Sequence, residues 1–175
     1  MPKNVEIKAR VADLDAVEMR VRPLATSGPF EIAQDDTFFP CAQGRLKLRE
    51  LAPDRGELIC YARPDTAGPK VSDYKLVPTS TPGLLREALA AALGVLGRVV
   101  KVRRLYLVGR TRVHLDRVAG LGEFLELEVV LAESEDAAVG EAEARHLLTA
   151  FGVAPEDLVV GAYLDLLRFT PTRSS

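Results

Sequence analysis

Eight stretches of this sequence alternate in polarity or are rich in β-branched and aromatic residues, which predicts strands at 4–11, 30–39, 44–52, 57–63, 73–79, 98–108, 110–118 and 123–132. The feature that most constrains the fold is the placement of charge along them. In "NVEIKAR" at 4–10, Asn4, Glu6 and Lys8 share one side of an extended segment, and Val5, Ile7 and Ala9 share the other. "GRLKLRE" sets Arg45, Lys47 and Arg49 against Leu46, Leu48 and Glu50, and "LICYAR" puts Tyr61 and Arg63 on one face. "SDYKLV" does the same with Asp73 and Lys75. The run 101–116 supplies Lys101 and Arg103, then, past a turn at Gly109, Arg110, Arg112, His114 and Asp116. "EFLELEVV" aligns Phe124, Glu126 and Glu128.

A half-buried strand normally turns its polar face to water, and for any one strand that is the plain reading. As a set these strands depart from it, because like charges side by side repel and a solvated face mixes both signs. Here basic residues group on three strands and acids on others. A closed barrel accommodates such a pattern: its residues alternate between inside and outside, and a wide interior can be polar when it holds a ligand. The apolar faces then look outward, under helices. Helical spacing predicts these at 13–25, with Leu14, Val17 and Val21 on one side and Asp13 as cap, and at 82–94 after Thr81 and Pro82. Two more are predicted at 134–152, opening at Ser134 and ending at Gly152, and at 155–167, opening at Pro155. "APDRGE" at 52–57 and "RPDTAGPKVS" at 63–72 read as hairpin loops. The expected fold is α+β, an eight-stranded antiparallel barrel with helices packed outside.

A chain of 175 residues fits one domain, placed at 1–168, with 169–175 as a frayed tail. No apolar run approaches the roughly 20 residues that span a bilayer, and no secretory leader is evident, so a cytoplasmic protein without membrane contact is expected. Cys41 and Cys60 have no zinc-type spacing with His114 and His146, and both read as reduced thiols without nucleophilic roles. A formal charge of −2 argues against a nucleic-acid binder. A homodimer is expected only because symmetric oligomers are common.

An interior with Arg and Lys on most walls and carboxylates on one suits a polyanion accompanied by a divalent cation. Guanidinium forks and ammoniums neutralise phosphate oxygens, and carboxylate oxygens hold Mg²⁺ or Mn²⁺. The ligand class this suggests is a nucleotide or polyphosphate.

At this point the sequence resembles the CYTH superfamily, named for class IV adenylate cyclase and thiamine triphosphatase, whose members build a barrel called a triphosphate tunnel. Asn4-Val5-Glu6-Ile7-Lys8 is similar to the family's Glu-x-Glu-x-Lys strand, with Asn4 in place of the first Glu. "QDDTFF" at 34–39, "GRLKLRE" at 44–50 and "GPKVSDYKL" at 68–76 resemble further segments, the last in the CyaB-like, class IV cyclase-related branch. "KVRRLYLVGRTRVHLD" and "GLGEFLELE" complete six matches in family order. The resemblance implies metal binding by Glu6, Asp116, Glu126 and Glu128, with Asn4 at a further ligand position. It implies phosphate binding by Lys8, Lys47, Arg49, Lys75, Lys101, Arg103 and Arg112, to which Arg63 and His114 are added as phosphate-side candidates. His114 reads more readily as a hydrogen-bonded structural residue, and Glu123, out of phase with Glu126 and Glu128, reads as a solvated charge at a turn edge.

Two reactions use the same cradle. Triphosphate hydrolysis needs only the basic walls, a metal and a water, with Glu126 as the candidate base and Lys101 and Arg103 absorbing developing charge. Cyclisation of ATP to cyclic AMP and pyrophosphate also needs a placed ribose, so hydrolysis is the preferred expectation. A non-catalytic polyphosphate- or nucleotide-binding module is the third reading.

Overall fold

A computed structural model describes residues 3–62 and 73–169. Nine strands form one antiparallel sheet: β1 (Lys3–Val11), β2 (Ser27–Phe39), β3 (Arg45–Ala52), β4 (Arg55–Ala62), β5 (Asp73–Thr79), β6 (Gly97–Val108), β7 (Thr111–Val118), β8 (Gly122–Leu131) and β9 (Leu158–Val159). Their order is β5-β4-β3-β2-β6-β7-β8-β1-β9. The eight expected strands are present and the sheet wraps around a polar interior. Among the described residues, however, the ladder is not closed between β5 and β9.

Register follows the alternation. Pairing Glu6 with Glu128, Lys8 with Glu126 and Arg112 with Glu128 sets the charged face of β1, β7 and β8 on one side. Pairing Asp36 with Arg49 and Phe38 with Lys47 continues that face through β2 and β3. A slip of one residue would expose every apolar side chain on the other face, which is why the register is strongly specified.

The main core lies outside this wall. Val5, Ala9, Val113, Leu115, Leu125, Leu127 and Val129 pack against Leu14, Val17 and Val21 of α1 (Leu14–Val21) and Ala144, Leu147 and Leu148 of α3 (Ala137–Ala150). Asp13 caps α1, accepting from the Ala16 amide at 3.0 Å, and Glu123 accepts from the Leu14 amide at 2.7 Å and from Arg117 at 2.9 Å. Glu123 is therefore a helix-terminal partner and not a solvated charge, as expected for a carboxylate at the positive end of a helix. Gly140 lets α3 approach β1 closely, since a Cβ there would lie 2.7 Å from Leu131 and 2.8 Å from Val5. Arg110 does not join the interior face: it pairs with Glu135 and Glu143 on the α3 side.

A smaller apolar cluster sits inside one end of the barrel, made by Phe38, Val99, Val118, Leu121 and Phe124 with Tyr163 and Leu164 of α4 (Tyr163–Phe169). The segment expected as one helix over 155–167 is divided. Pro155–Asp157 form a 3-10 turn, Leu158 and Val159 pair with Ala9 and Lys8, and the helix starts only at Tyr163. The open edge of β1 captures the first half of the apolar run before it can coil. α2 (Pro82–Leu93) matches its expected span.

Candidate active site

A cavity of about 470 Å³ runs along the barrel interior. Lys47 and Arg49 of β3 and Lys101 and Arg103 of β6 form basic walls; Glu6 of β1 with Glu126 and Glu128 of β8 form an acidic one. Asn4, Lys8 and Arg112 also line the cavity, and Phe38, Ile59, Tyr61 and Val99 supply apolar surface.

Each basic pair is held by a buried aspartate. Arg49 donates Nε and Nη2 to Asp36, both at 2.8 Å, and Lys47 adds a third bond at 2.8 Å. Arg103 grips Asp116 with Nε and Nη2 at 2.7 Å, and Lys101 joins at 3.1 Å. Burial disfavours the ionised form of both aspartates, but the arginine bonds and neighbouring cations more than reverse it, so both acids are held below their usual range. Burial pushes the Lys47 ammonium down against the pull of Asp36. It lowers Lys101 to about 8, with the Arg103 charge adding to the effect.

On the acidic wall, Glu126 lies 3.5 Å from Lys8 Nζ, 3.9 Å from Arg103 Nη2 and 3.5 Å from His114 Nδ1. Burial alone would raise its pKa; the His114 contact and the charges of Lys8 and Arg103 outweigh that and hold it well below the ordinary carboxylate value. Glu128 takes Arg112 at 3.2 Å, and Asn4 Nδ2 donates to it. That bond fixes the amide orientation, because the reverse would set two oxygens against each other. It leaves Asn4 Oδ1 buried without a partner.

α4 closes one end of the cavity through Ala162, Tyr163 and Leu164. The Tyr163 hydroxyl donates to Asp116 at 2.8 Å, its ring packs edge-on against Phe124, and the ammoniums of Lys8 and Lys101 lie 4.0 and 4.8 Å from its centroid. Burial and the nearby Asp116 and Glu126 carboxylates raise the phenol's pKa, so it stays a donor.

Ten of the residues expected at the site line this cavity: Asn4, Glu6, Lys8, Lys47, Arg49, Lys101, Arg103, Arg112, Glu126 and Glu128. Three others are placed differently. Asp116 is wholly buried, and its oxygens are taken by Arg103, Lys101 and Tyr163, so it anchors cations and does not face the cavity as a metal ligand. Lys75 pairs with Cys60, one residue out of phase with Ile59, and is exposed on the outer face. His114 sits behind Glu126 and Glu128, within 3.5 and 3.9 Å of them, buried and off the cavity surface. Arg63 lies outside the described residues. Asp36 and Tyr163 were not anticipated. Asp36 shares phase with Phe38 in "QDDTFF", but nothing local marks it as the partner of Lys47 and Arg49.

The residues fit a divalent cation in kind. Glu6, Glu126, Glu128 and the orphaned Asn4 Oδ1 are all hard oxygen donors on one wall. Among the described residues no three such side chains already converge as a cage. Hard oxygen donors of this kind suit Mg²⁺ or Mn²⁺.

Residues 2–163 match the CYTH domain. A protein of Pyrococcus horikoshii OT3 superposes with a TM-score of 0.78 at 20% identity, covering 94% of this chain and 99% of that one. A Vibrio parahaemolyticus protein described as a candidate adenylate cyclase gives 0.70 at 21% identity, covering 95% and 98%. A Hippeastrum protein named for adenylyl cyclase, with a dominant triphosphatase activity, gives 0.69 at 15% identity, covering 96% and 95%. At these identities the likeness is one of fold. No curated protein matches the sequence.

Proposed function

We propose that this chain, which belongs to the CYTH family, is a metal-dependent triphosphatase whose tunnel holds a linear triphosphate. The observation that carries this reading is the charge inventory of the interior. Lys8, Lys47, Arg49, Lys101, Arg103 and Arg112 bring six positive charges, while Asp36, Asp116, Glu6, Glu126 and Glu128 bring five negative ones. Such an interior is close to neutral, with fixed donors pointing at the cavity. It suits a polyanion that arrives with its own divalent cation, and it would not suit a bare polyanion, for which the carboxylate wall would be a cost.

When bound, Mg²⁺ or Mn²⁺ would neutralise phosphate oxygens and polarise the phosphorus centre. Glu6, Glu126 and Glu128, with Asn4 Oδ1, are the groups that would hold it. Lys47, Arg49, Lys101 and Arg103 orient the chain and absorb the charge that grows on the transferred group, and they are already fixed by Asp36 and Asp116, so little reorganisation is needed. Glu126 is the candidate to accept a proton from an attacking water: it is held ionised, as a base must be, though a pKa well below the ordinary carboxylate value makes it a weak one. Lys8 and Arg103, flanking it, keep it so. Cyclisation of ATP uses the same cradle but also needs a placed ribose. In the Hippeastrum protein, too, triphosphatase activity is dominant.

The test is a panel of tripolyphosphate, thiamine triphosphate, ATP and GTP with Mg²⁺ or Mn²⁺, read for released phosphate and pyrophosphate. Phosphate release is the expected result. Pyrophosphate with cyclic AMP would establish the cyclase, and tight Mg²⁺-dependent binding without turnover a non-catalytic binding module. Among the described residues no helix is long and apolar enough to cross a membrane, and exposed free thiols at Cys41 and Cys60 suit the cytoplasm.

A further inference from the structure

Among the carboxylates of the tunnel, Glu126 is loosely held. The oxygens of Asp36 and Asp116 accept bonds of 2.7 to 3.1 Å. Glu126 has Lys8 at 3.5 Å from Oε2, with Arg103 at 3.9 Å and His114 at 3.5 Å from Oε1, all beyond an ordinary hydrogen bond. His114 lies opposite Glu126 in the ladder between β7 and β8, with its side chain 7% exposed. Its Nδ1, the nitrogen nearest Glu126, is buried without a partner.

Filling space does not account for an imidazole at this position. A Leu or Met would occupy it without leaving a nitrogen unpaired, and an orphaned buried polar atom is costly. The three neighbours of Glu126 also differ in what else they can do. Lys8 and Arg103 line the cavity and turn to phosphate when it enters, whereas His114 lies behind the wall, off the cavity surface. It is then the neighbour that stays with Glu126. A shift of about 0.5 Å brings Oε1 to an ordinary hydrogen-bond distance from Nδ1. A carboxylate has about four lone-pair sites, so a bond from behind leaves others directed at a cation in the cavity.

We propose that His114 is the positioning residue of Glu126. Its Nδ1–H closes onto Oε1 when the cation and the phosphate chain are bound, and it fixes the rotation of the carboxylate while Lys8 and Arg103 are drawn to phosphate. The imidazole itself touches neither metal nor substrate. This rests on the reading of the tunnel as a site for a triphosphate with its divalent cation, and adds to it the group that orients one metal-holding acid. Hydrogen-bond partners behind a ligating carboxylate typically contribute about 10–100-fold in metal affinity.

Calorimetric titration of tripolyphosphate into the unaltered protein and two variants, once with Mn²⁺ and once in chelator, tests it. His114→Leu removes the donor and keeps the bulk, whereas the amide of His114→Asn sets an N–H close to the place of Nδ1. His114→Leu should weaken binding with Mn²⁺ about tenfold or more and leave binding in chelator within about twofold, and His114→Asn should recover most of the loss. A packing role would lower both affinities together, and a direct phosphate contact would lower the one in chelator; either result would overturn the assignment. So would unchanged binding with Mn²⁺, or an Asn variant no better than the Leu one. If His114→Leu does not fold, His114→Gln, whose amide reaches toward the place of Nε2, replaces it and should bind more weakly with Mn²⁺ than His114→Asn; the reverse order would overturn the assignment. Failure of the unaltered protein to bind tripolyphosphate in either condition would instead remove the triphosphate reading beneath it.

Discussion

On β3, Lys47 and Arg49 reach the tunnel in the same way that Lys101 and Arg103 do on β6. In each pair the arginine faces an aspartate across an antiparallel ladder, Asp36 on β2 or Asp116 on β7. In each it makes a two-pronged bond, with the lysine two residues before it adding a third. The pairs differ in cover. Asp36 lines the cavity with nothing over it but its cations, whereas Asp116 has a fourth partner in Tyr163 and no exposure. The same chemical device thus gives an accessible side wall in one place and a sealed floor in the other, and the agent of the difference is a seven-residue helix from the far end of the chain.

The sharpest way to break this comparison is to remove each aspartate. Asp116→Ala strands two buried cations and should cost about 3–5 kcal/mol of stability in urea unfolding. Asp36→Ala, whose cations keep more contact with water, should cost about 1–3 kcal/mol. Equal losses would mean that α4 does not distinguish the two sites.

Protonation gives a second contrast. Lys101, lowered to about 8 from 10.5, loses its charge as pH rises through about 8. Tripolyphosphate affinity should then fall by up to about tenfold per pH unit above that point, until the complex itself deprotonates. Lys101→Met should remove this part of the slope, and Lys47→Met should keep it. In the free protein the sign is opposite. Between about 8 and 10.5 the unfolded chain binds more protons at this site than the folded one, so the fold gains stability as pH rises through that window.

Asn4→Glu would sharpen the acidic side, adding a charged ligand where an orphaned amide oxygen now points. Mn²⁺ affinity in the presence of tripolyphosphate should rise several-fold, to about tenfold; a titration showing no change or a loss would remove Asn4 from the metal site. The smallest expected effect is that of Tyr163→Phe. It deletes the bond to Asp116 while keeping the ring over the two ammoniums, for a loss of about 1 kcal/mol in thermal unfolding.

The strands and the polar interior were legible in the sequence because both follow from one period-2 pattern: the apolar face had helices to meet it, so the charged face had to turn inward. The partners of those charges were not. Asp36 acts across the β2–β3 hairpin on Lys47 and Arg49, and Tyr163 on Asp116 much earlier in the chain, and no local period encodes either pairing. Asp116 shares phase with Arg112 and His114, but only the register that sets it opposite Arg103 shows its oxygens to be spent. Lys75 was misplaced because phase within β5 follows from its pairing with β4, where Cys60 and not Ile59 is its neighbour. The start of α4 was missed because 155–167 is apolar enough for either structure, and the free edge of β1 decided it.

The most direct measurement of the central claim, a near-neutral tunnel that takes a triphosphate together with a divalent cation, is calorimetric titration of tripolyphosphate with and without Mg²⁺ or Mn²⁺. The expected result is tight binding with the metal, at least about tenfold weaker binding in chelator, and loss of the difference in Glu126→Gln. Binding of equal strength in chelator and in metal would contradict it.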